Sequence, residues 1–393
     1  MNVRIYFILL ILTGTAGLVR AQAPAGVDTT QVLLLENKDI QIASAQAIND
    51  MYNFKFDQAE EVFRRIRDRY PDHPIAYFLM GLSTWWKVNI NYDDEQYDKK
   101  FLAYIDSALY FAKKLYNEPH SRIEGAFFLS AGYGFEGRLY AERSEWFKSA
   151  FASKNSLKYF GDCKGNSYLS PELMFGDALF NYFSIWIPEN YPFLKPIMAF
   201  FPKGDKELGL KQLKTVANNA FYTRTEAQYF LMRILSSDEN DQQGAMMISE
   251  YLHKTFPDNS YFHRYYARML YTLGFTSETE RQSQQILSRI DSGMFGYGDM
   301  EGRWASFFLG QVSERKRNID AAKKYYKLCI QFSEHGNATE SGYYLYSYLS
   351  LGEMAMREGD KKTAKECFVK VKKDSKRKDS ANQRARDLLK ELR

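Results

Sequence analysis

The chain is predicted to be all-α, an array of antiparallel helical hairpins stacked end to end with no sheet. Three observations point there. Small residues recur at a fixed distance: Gly310 and Gly352 are 42 residues apart, and so are Ala322 and Ala364. Within each unit the Gly-to-Ala step is 12 residues and the step from Ala to an aromatic, Tyr326 or Phe368, is 4. Apolar residues also keep a helical period on both sides of each turn, as in Phe307, Phe308 and Val312, then Tyr325, Leu328 and Cys329. The spacing has a packing cause. A Gly or Ala where two helices cross lets their backbones approach, and a ring one turn later fills the space beside the contact.

Residues 1–23 are expected to form a secretory signal. Arg4 supplies the positive start, Ile5 to Leu12 the apolar run, and Gly14, Ala16 and Gly17 the small residues, with cleavage after Ala21 or Ala23. An uncleaved anchor is the alternative, but a membrane span needs about 20 apolar residues and this run is shorter. No Cys lies near enough for a lipoprotein anchor. Residues 24–30 read as a Pro/Gly linker. An N-terminal helical region is expected over 24–220 and C-terminal repeats over 221–393.

Helices are expected over 31–51, 53–70, 75–88, 98–116, 121–138 and 141–160, with a polar turn at 89–95. Met80-Gly81 takes the close-contact position of the third. Gly132-Tyr133-Gly134-Phe135-Glu136-Gly137 spells a dinucleotide-binding GxGxxG, but no strand precedes it, so close helix packing with a local kink is expected instead. Ser170-Pro171-Glu172 is a helix start. The helix it opens, 172–187, is rich in aromatics and is followed by Pro188, Pro192, Pro196 and Pro202, which break the chain. Further helices are expected over 206–220, 225–236, 242–255, 261–273 and 277–290. Gly274, Asn318 with Asp320, and Gly359-Asp360 mark hairpin turns. After Val371 a charged helix or frayed tail is expected.

The 29 Tyr and 29 Phe of the 393 residues suit the wide, shallow cores of stacked repeats. Net charge is +5, too little to argue for nucleic acid. The basic excess gathers at 365–393, with Lys372, Lys373, Lys376, Arg377 and Lys378 clustered. That cluster reads as a solvated surface, or else as a peripheral contact to an acidic partner or anionic lipid. Cys163, Cys329 and Cys367 have neither disulfide-framework nor metal-ligand spacing; Cys329 and Cys367 read as core residues, a bridge between them being the alternative. None of the five histidines stands at ligand spacing and HExxH is absent, so no catalytic residue, metal or cofactor is expected.

The pairs Leu309-Gly310 with Ala322 and Tyr326, and Leu351-Gly352 with Ala364 and Phe368, resemble the tetratricopeptide repeat (TPR) superfamily. Its period is about 34 residues, and the extra ~8 fit a loop at Gly336, Asn337 and Gly342. Ala59, Phe63 and Pro71 repeat the pattern; Ala245 and Pro257 keep the 12-residue step but Ser249 replaces the aromatic, and Thr279 stands where Ala is usual. The segment 172–216, with Phe175-Gly176, Ile187-Pro188, Phe201-Pro202-Lys203-Gly204-Asp205 and Gly209-Leu210, also resembles the eukaryotic inclusion-body clearance family, itself built of helical repeats.

The TPR resemblance implies a right-handed α-α superhelix, here with irregular middle units, in which the first helix of each pair lines a concave, protein-binding groove. Carried onto this chain, the groove positions are Phe78, Leu82, Trp85 and Trp86; Arg264, Arg268 and Tyr271; and Trp304, Phe307, Gln311, Arg315, Tyr346, Leu349, Glu353 and Arg357. The functional expectation is an exported, periplasmic scaffold or adaptor that binds an envelope protein or peptide without catalysis. The alternative is a glycan- or lipid-binding module built on the aromatic 172–202 region.

Overall fold

The computed structural model describes residues 33–92, 94–192, 195–198 and 202–392. The expected signal segment and linker lie outside them. Among the described residues every regular element is a helix. The chain forms two compact units that meet between Asp238 and Glu239.

The first unit opens with a single 3-10 turn, Leu34–Glu36, where a continuous helix from residue 31 is expected; Asn37 ends the turn and caps the next helix. Helix α1 (Lys38–Tyr52) pairs with α2 (Phe56–Arg69), α3 (Pro74–Ile90) with α4 (Asp98–Asn117), and α5 (Arg122–Glu142) with α6 (Trp146–Cys163). Helix α7 (Pro171–Asn190) pairs with α9 (Lys206–Asn219) across the short α8 (Lys195–Met198). Helix α10 (Arg224–Ser237) packs on α9 and belongs to this unit, so the division falls beyond the expected 220/221. Helix α7 also runs through Pro188, which sits in its last turn where few backbone bonds remain to be lost.

In the second unit α11 (Gln242–Thr255) precedes three hairpins and a closing helix. The hairpins are α12 (Ser260–Thr272) with α13 (Thr276–Asp291), α14 (Asp299–Arg315) with α15 (Ile319–His335), and α16 (Gly342–Arg357) with α17 (Lys361–Asp374). Each helix packs on the next, and α12, α14 and α16 also touch in series, as stacked repeats require. Of the charged helix or frayed tail expected after Val371, the structure has a helix, α18 (Ser380–Glu391), whose Ala381, Ala385 and Leu388 are buried with Phe368 and Val371. A repeat array ends in an open apolar face, and a helix with one apolar stripe covers it.

One turn geometry recurs. In five hairpins the first helix ends with a residue in the left-handed region: Phe54, Ser144, Gly274, Arg317 or Gly359. The next residue then donates its backbone N–H back to the last turn of the helix: Lys55 to Asp50, Glu145 to Tyr140, Phe275 to Leu270, Asn318 to Ser313 and Asp360 to Ala355, at 2.8–2.9 Å. That six-to-one bond satisfies a carbonyl the helix leaves open. Side chains cap the second helices where the chain can supply them, Asn318 to Ala321 N and Asp360 to Thr363 N among them.

The crossings carry the repeat. A Cβ added at Gly310 would lie 2.6 Å from Cε1 of Tyr326, and one at Gly352 would lie 2.5 Å from Cε1 of Phe368. Both rings are the aromatics of the repeat pattern, and both are fully buried. Alanine is favoured over glycine inside a helix by about 1 kcal/mol, but overpacking a tight core costs roughly 1–3 kcal/mol. Gly352→Ala is therefore expected to destabilise the second unit and to speed hydrogen exchange in α16 and α17. Adding Phe368→Leu should return part of the loss.

The glycines of the GxGxxG string sit within the continuous helix α5. Gly132 faces Leu109 of α4, while Gly137 faces Ala152 and the carbonyl of Ser149 on α6. They thin α5 on both sides so that it fits between its neighbours.

Candidate functional site

In the second unit the expected groove residues come together on α12, α14 and α16. Trp304 is the centre. The guanidinium of Arg264 lies 5.1 Å from its ring and 4.9 Å from that of Tyr261. Arg268 lies 5.7 Å from both Trp304 and Tyr265. Tyr343, on α16, packs 5.2 Å from Trp304 and 5.0 Å from Phe307. Arg315 extends the face over Tyr271, at 5.5 Å. Each arginine contact sets a cation on the electron-rich face of a ring.

The face is graded in depth. Arg264 and Phe307 are buried; Arg268, Tyr271, Trp304, Gln311 and Tyr343 are half-buried; Arg315, Tyr346 and Arg357 are more open to solvent. Arg264 is held by an ion pair from Nη1 to Glu301, whose carboxyl is pushed up by burial against the pull of Arg264. Burial and the neighbouring charge of Arg264 together push Arg303 down. Gln311 Nε2 donates to Tyr326 Oη at 2.6 Å, which orients its amide. On the far edge Arg357 pairs with Glu314 at 2.8 Å. Glu353 and Tyr346 are engaged by α18, through Arg384 at 3.1 Å and Ser380 at 2.9 Å, and Leu349 is buried beneath them.

The first unit treats its expected groove residues differently. Trp85 and Trp86 are each 1% exposed. Trp85 packs against Phe101, Phe135 and Tyr92, and Trp86 against Tyr52 and Tyr229. Phe78 lies against Phe128 and Phe135, and Leu82 is buried. The cause is α10. Its Glu226 accepts hydrogen bonds from Trp86 Nε1 at 3.0 Å and Tyr52 Oη at 3.2 Å, so the chain's own helix fills the space where the register places a partner. Leu82, Trp85 and Trp86 are therefore interior to the unit, while Phe78 is half-buried.

Two further clusters are not evident from spacing. Glu172 Oε1 and Oε2 accept from the backbone N–H of Phe221, Tyr222 and Thr223 at 2.6–3.0 Å, tying α7 to the start of α10. His253 and His263, on α11 and α12, stack with ring centroids 4.4 Å apart. Ten residues of separation across a hairpin turn matches no metal-ligand motif, so sequence spacing does not pair them. Among the described residues there is no group of three His, Cys, Asp or Glu that could hold a metal ion. The three cysteines are free and buried, and burial raises their thiols, Cys329 and Cys367 to about 11.

The tetratricopeptide repeat family matches residues 305–335, which are the greater part of α14 and α15. No curated protein matches the chain. Among solved structures the chain is similar to one titled "Crystal Structure of P58(IPK) TPR Domain at 2.5 A", at 11% identity and a TM-score of 0.26, over 90% of this chain and 99% of that one. The matched repeat, the glycine crossings and the recurring hairpin turn agree. Residues 305–335 thus match one tetratricopeptide repeat, set in a chain whose described residues form helical hairpins.

Proposed function

We propose that the chain is a non-catalytic scaffold, exported to the cell envelope, that binds a protein partner through the α12–α14–α16 face. One observation carries the reading: Arg264 and Arg268 stacked on a half-buried Trp304, with Arg315 more open beyond them. Trp, Tyr and Arg are the residues that most often anchor an interface, because each combines a large apolar surface with a polar tip. The arginines favour a partner that presents carboxylates beside an apolar side chain. Export is supported by the N-terminal pattern of Arg4, the apolar run and the small residues before Ala21 and Ala23.

The test is affinity capture of the tagged full chain from envelope fractions, beside an Arg268→Glu/Arg315→Glu variant. Both side chains reach solvent, so reversal leaves the packed core intact. The expected result is a discrete partner whose recovery falls at least tenfold in the variant while circular dichroism is unchanged. Equal recovery by both proteins would sink the assignment of this face, and a chain found in the cytoplasm would sink the export.

A further inference from the structure

A second site lies in the first unit, and it does not depend on the scaffold reading. A cavity of about 280 Å³ separates the α5–α6 hairpin from α7 and α10. It exists because α6 does not pack closely on α7, unlike the other successive long helices of this unit. Wide rings hold the step apart: Phe160 meets Phe180 at 5.3 Å, and Phe175 and Phe183 meet Phe230 at 5.9 and 6.5 Å. On the other side Gly134, Gly137 and Gly176 thin the wall.

The lining chemistry selects the occupant. Of the serines that reach the cavity, Ser149, Ser156 and Ser184 are satisfied inside the protein. Ser149 Oγ donates to the Gly137 carbonyl at 2.8 Å and Ser156 Oγ to the Ser130 carbonyl at 2.8 Å, while Ser184 Oγ accepts from Gly204 N at 3.0 Å. Of the three charged residues in the lining, Arg138, Glu142 and Glu226, the first and last are already bonded to tyrosine and tryptophan side chains. The hydroxyls of a glycan would lose water and gain few partners here. A hydrocarbon loses nothing, and each methylene it buries adds affinity.

The outer face of α6 shows where such a chain comes from. Phe147 and Phe151, one helical turn apart, are 96% and 68% exposed, beside the half-exposed Trp146 and, on the same helix, Lys148, Lys154 and Lys158. One helix thus carries the cavity wall on one side and an apolar, cationic stripe on the other. That stripe is the composition of a helix lying on an anionic lipid surface.

We propose that the cavity between α5, α6 and α7 binds one fatty-acyl chain of a lipid. The test uses the full chain and the fluorescent fatty acid cis-parinarate, displaced by palmitate, with parallel co-sedimentation on phosphatidylglycerol/phosphatidylcholine vesicles. A Cβ at Gly134 would meet nothing nearer than Ser156 Oγ at 3.5 Å, so a larger side chain there enters the cavity without striking backbone. Gly134→Leu is expected to weaken parinarate binding at least tenfold while the melting temperature holds or rises, since leucine also favours the helix. Ser153→Leu, on the facing helix, should do the same. Gly161→Leu, at an open position of α6, should leave binding unchanged. Palmitate displacement without vesicle binding identifies a free fatty acid; vesicle binding lost in Phe147→Ser/Phe151→Ser identifies a membrane lipid. No parinarate binding to the intact chain, or undiminished binding in folded Gly134→Leu, would overturn the proposal.

Discussion

Glu226→Ala is expected to cost the first unit about 3 kcal/mol or more, because it leaves the buried Trp86 and Tyr52 donors without their acceptor and takes away the buried carboxyl whose charge acts on Arg138. Glu226 is buried, and burial pushes its carboxyl up against the pull of Arg138 and of its two hydrogen bonds. Arg138 sits 4.6 Å over the Trp85 ring and donates to Tyr92 and Tyr229 Oη, each at 3.3 Å. Through this pair α10 is joined to α1, α3 and α5 at once, so the loss spreads across the unit instead of fraying one helix. Two variants separate charge from shape. Glu226→Gln keeps an acceptor for Trp86 and Tyr52 but drops the charge, and should lose an intermediate amount. Glu226→Leu with Arg138→Met removes both charges and should recover much of the stability, as buried pairs replaced by apolar residues often do. Urea unfolding with hydrogen exchange at α1, α3 and α10 measures all three. A Glu226→Ala chain as stable as the parent would mean that the pair is solvated and that the unit is held by its aromatic packing alone.

The helices are legible in the sequence because each carries its own apolar stripe and each hairpin its own turn. The second unit is the more legible. There the glycine, alanine and ring of one repeat meet one another, as Gly352 meets Phe368, so a local pattern reports a local contact. The turns are legible only in part. Gly274 and Gly359 announce themselves, whereas Phe54, Ser144 and Arg317 adopt the same left-handed geometry with nothing in their side chains to signal it. The closing helix α18 is hidden by its lysines and arginines, although Ala381, Ala385 and Leu388 keep helical spacing.

The candidate sites divide in the same way. The face around Trp304 comes from the repeat register, because α12, α14 and α16 are successive first helices; Tyr261, Tyr265 and Tyr343 escape it since they flank the register positions. The first unit defeats the register. Tyr52 and Glu226 are 174 residues apart, and no periodicity connects them. Trp85 and Trp86 stand where a groove would put them, and the rings of α4 and α5 over Trp85 and the placement of α10 over Trp86 turn that groove into core. The cavity is signalled as a region, since 172–202 is crowded with rings and prolines, but half of its wall is α5 and α6. Their glycines and serines read as packing residues until the ring-filled step beside them is seen.

Acidification from pH 7 toward 4 is expected to loosen the second unit through the buried pair His253 and His263. The histidine pair lies on a one-way chain of hydrogen bonds. Gln282 Nε2 donates to Glu278 at 2.9 Å, which turns its oxygen toward His263 Nε2 at 2.7 Å. His263 Nε2 must then carry the proton, and Nδ1 accepts from Tyr297 Oη at 2.9 Å. Tyr297 Oη in turn accepts from Arg289 Nη1 at 2.5 Å. The chain leaves His263 neutral, and burial with the neighbouring His253 and Arg289 pushes it well below its ordinary value.

His253 stacks on that ring and, at 5.2 Å, on Tyr266. Burial and the charges of Arg289 and Arg281 push it down to about 4, with Glu278 opposing them. An unfolded histidine takes its proton near pH 6.5. Between those two values the unfolded chain holds the proton and the folded one does not, so stability is complete above about 6.5 and falls as pH drops toward 4. The full span is worth at most about 3 kcal/mol, reduced by the part of His253 that reaches water. His253→Phe keeps the stack and removes one of the two titrations, so its stability should match the parent at pH 7 and fall less steeply toward pH 5, the remaining slope belonging to His263. His263→Phe should instead lose about 1–3 kcal/mol at pH 7, because Gln282 and Tyr297 are left without their partner. Denaturant midpoints of the second unit at pH 7, 6 and 5 decide the matter, and an undiminished slope in His253→Phe would shift the acid sensitivity to groups other than His253.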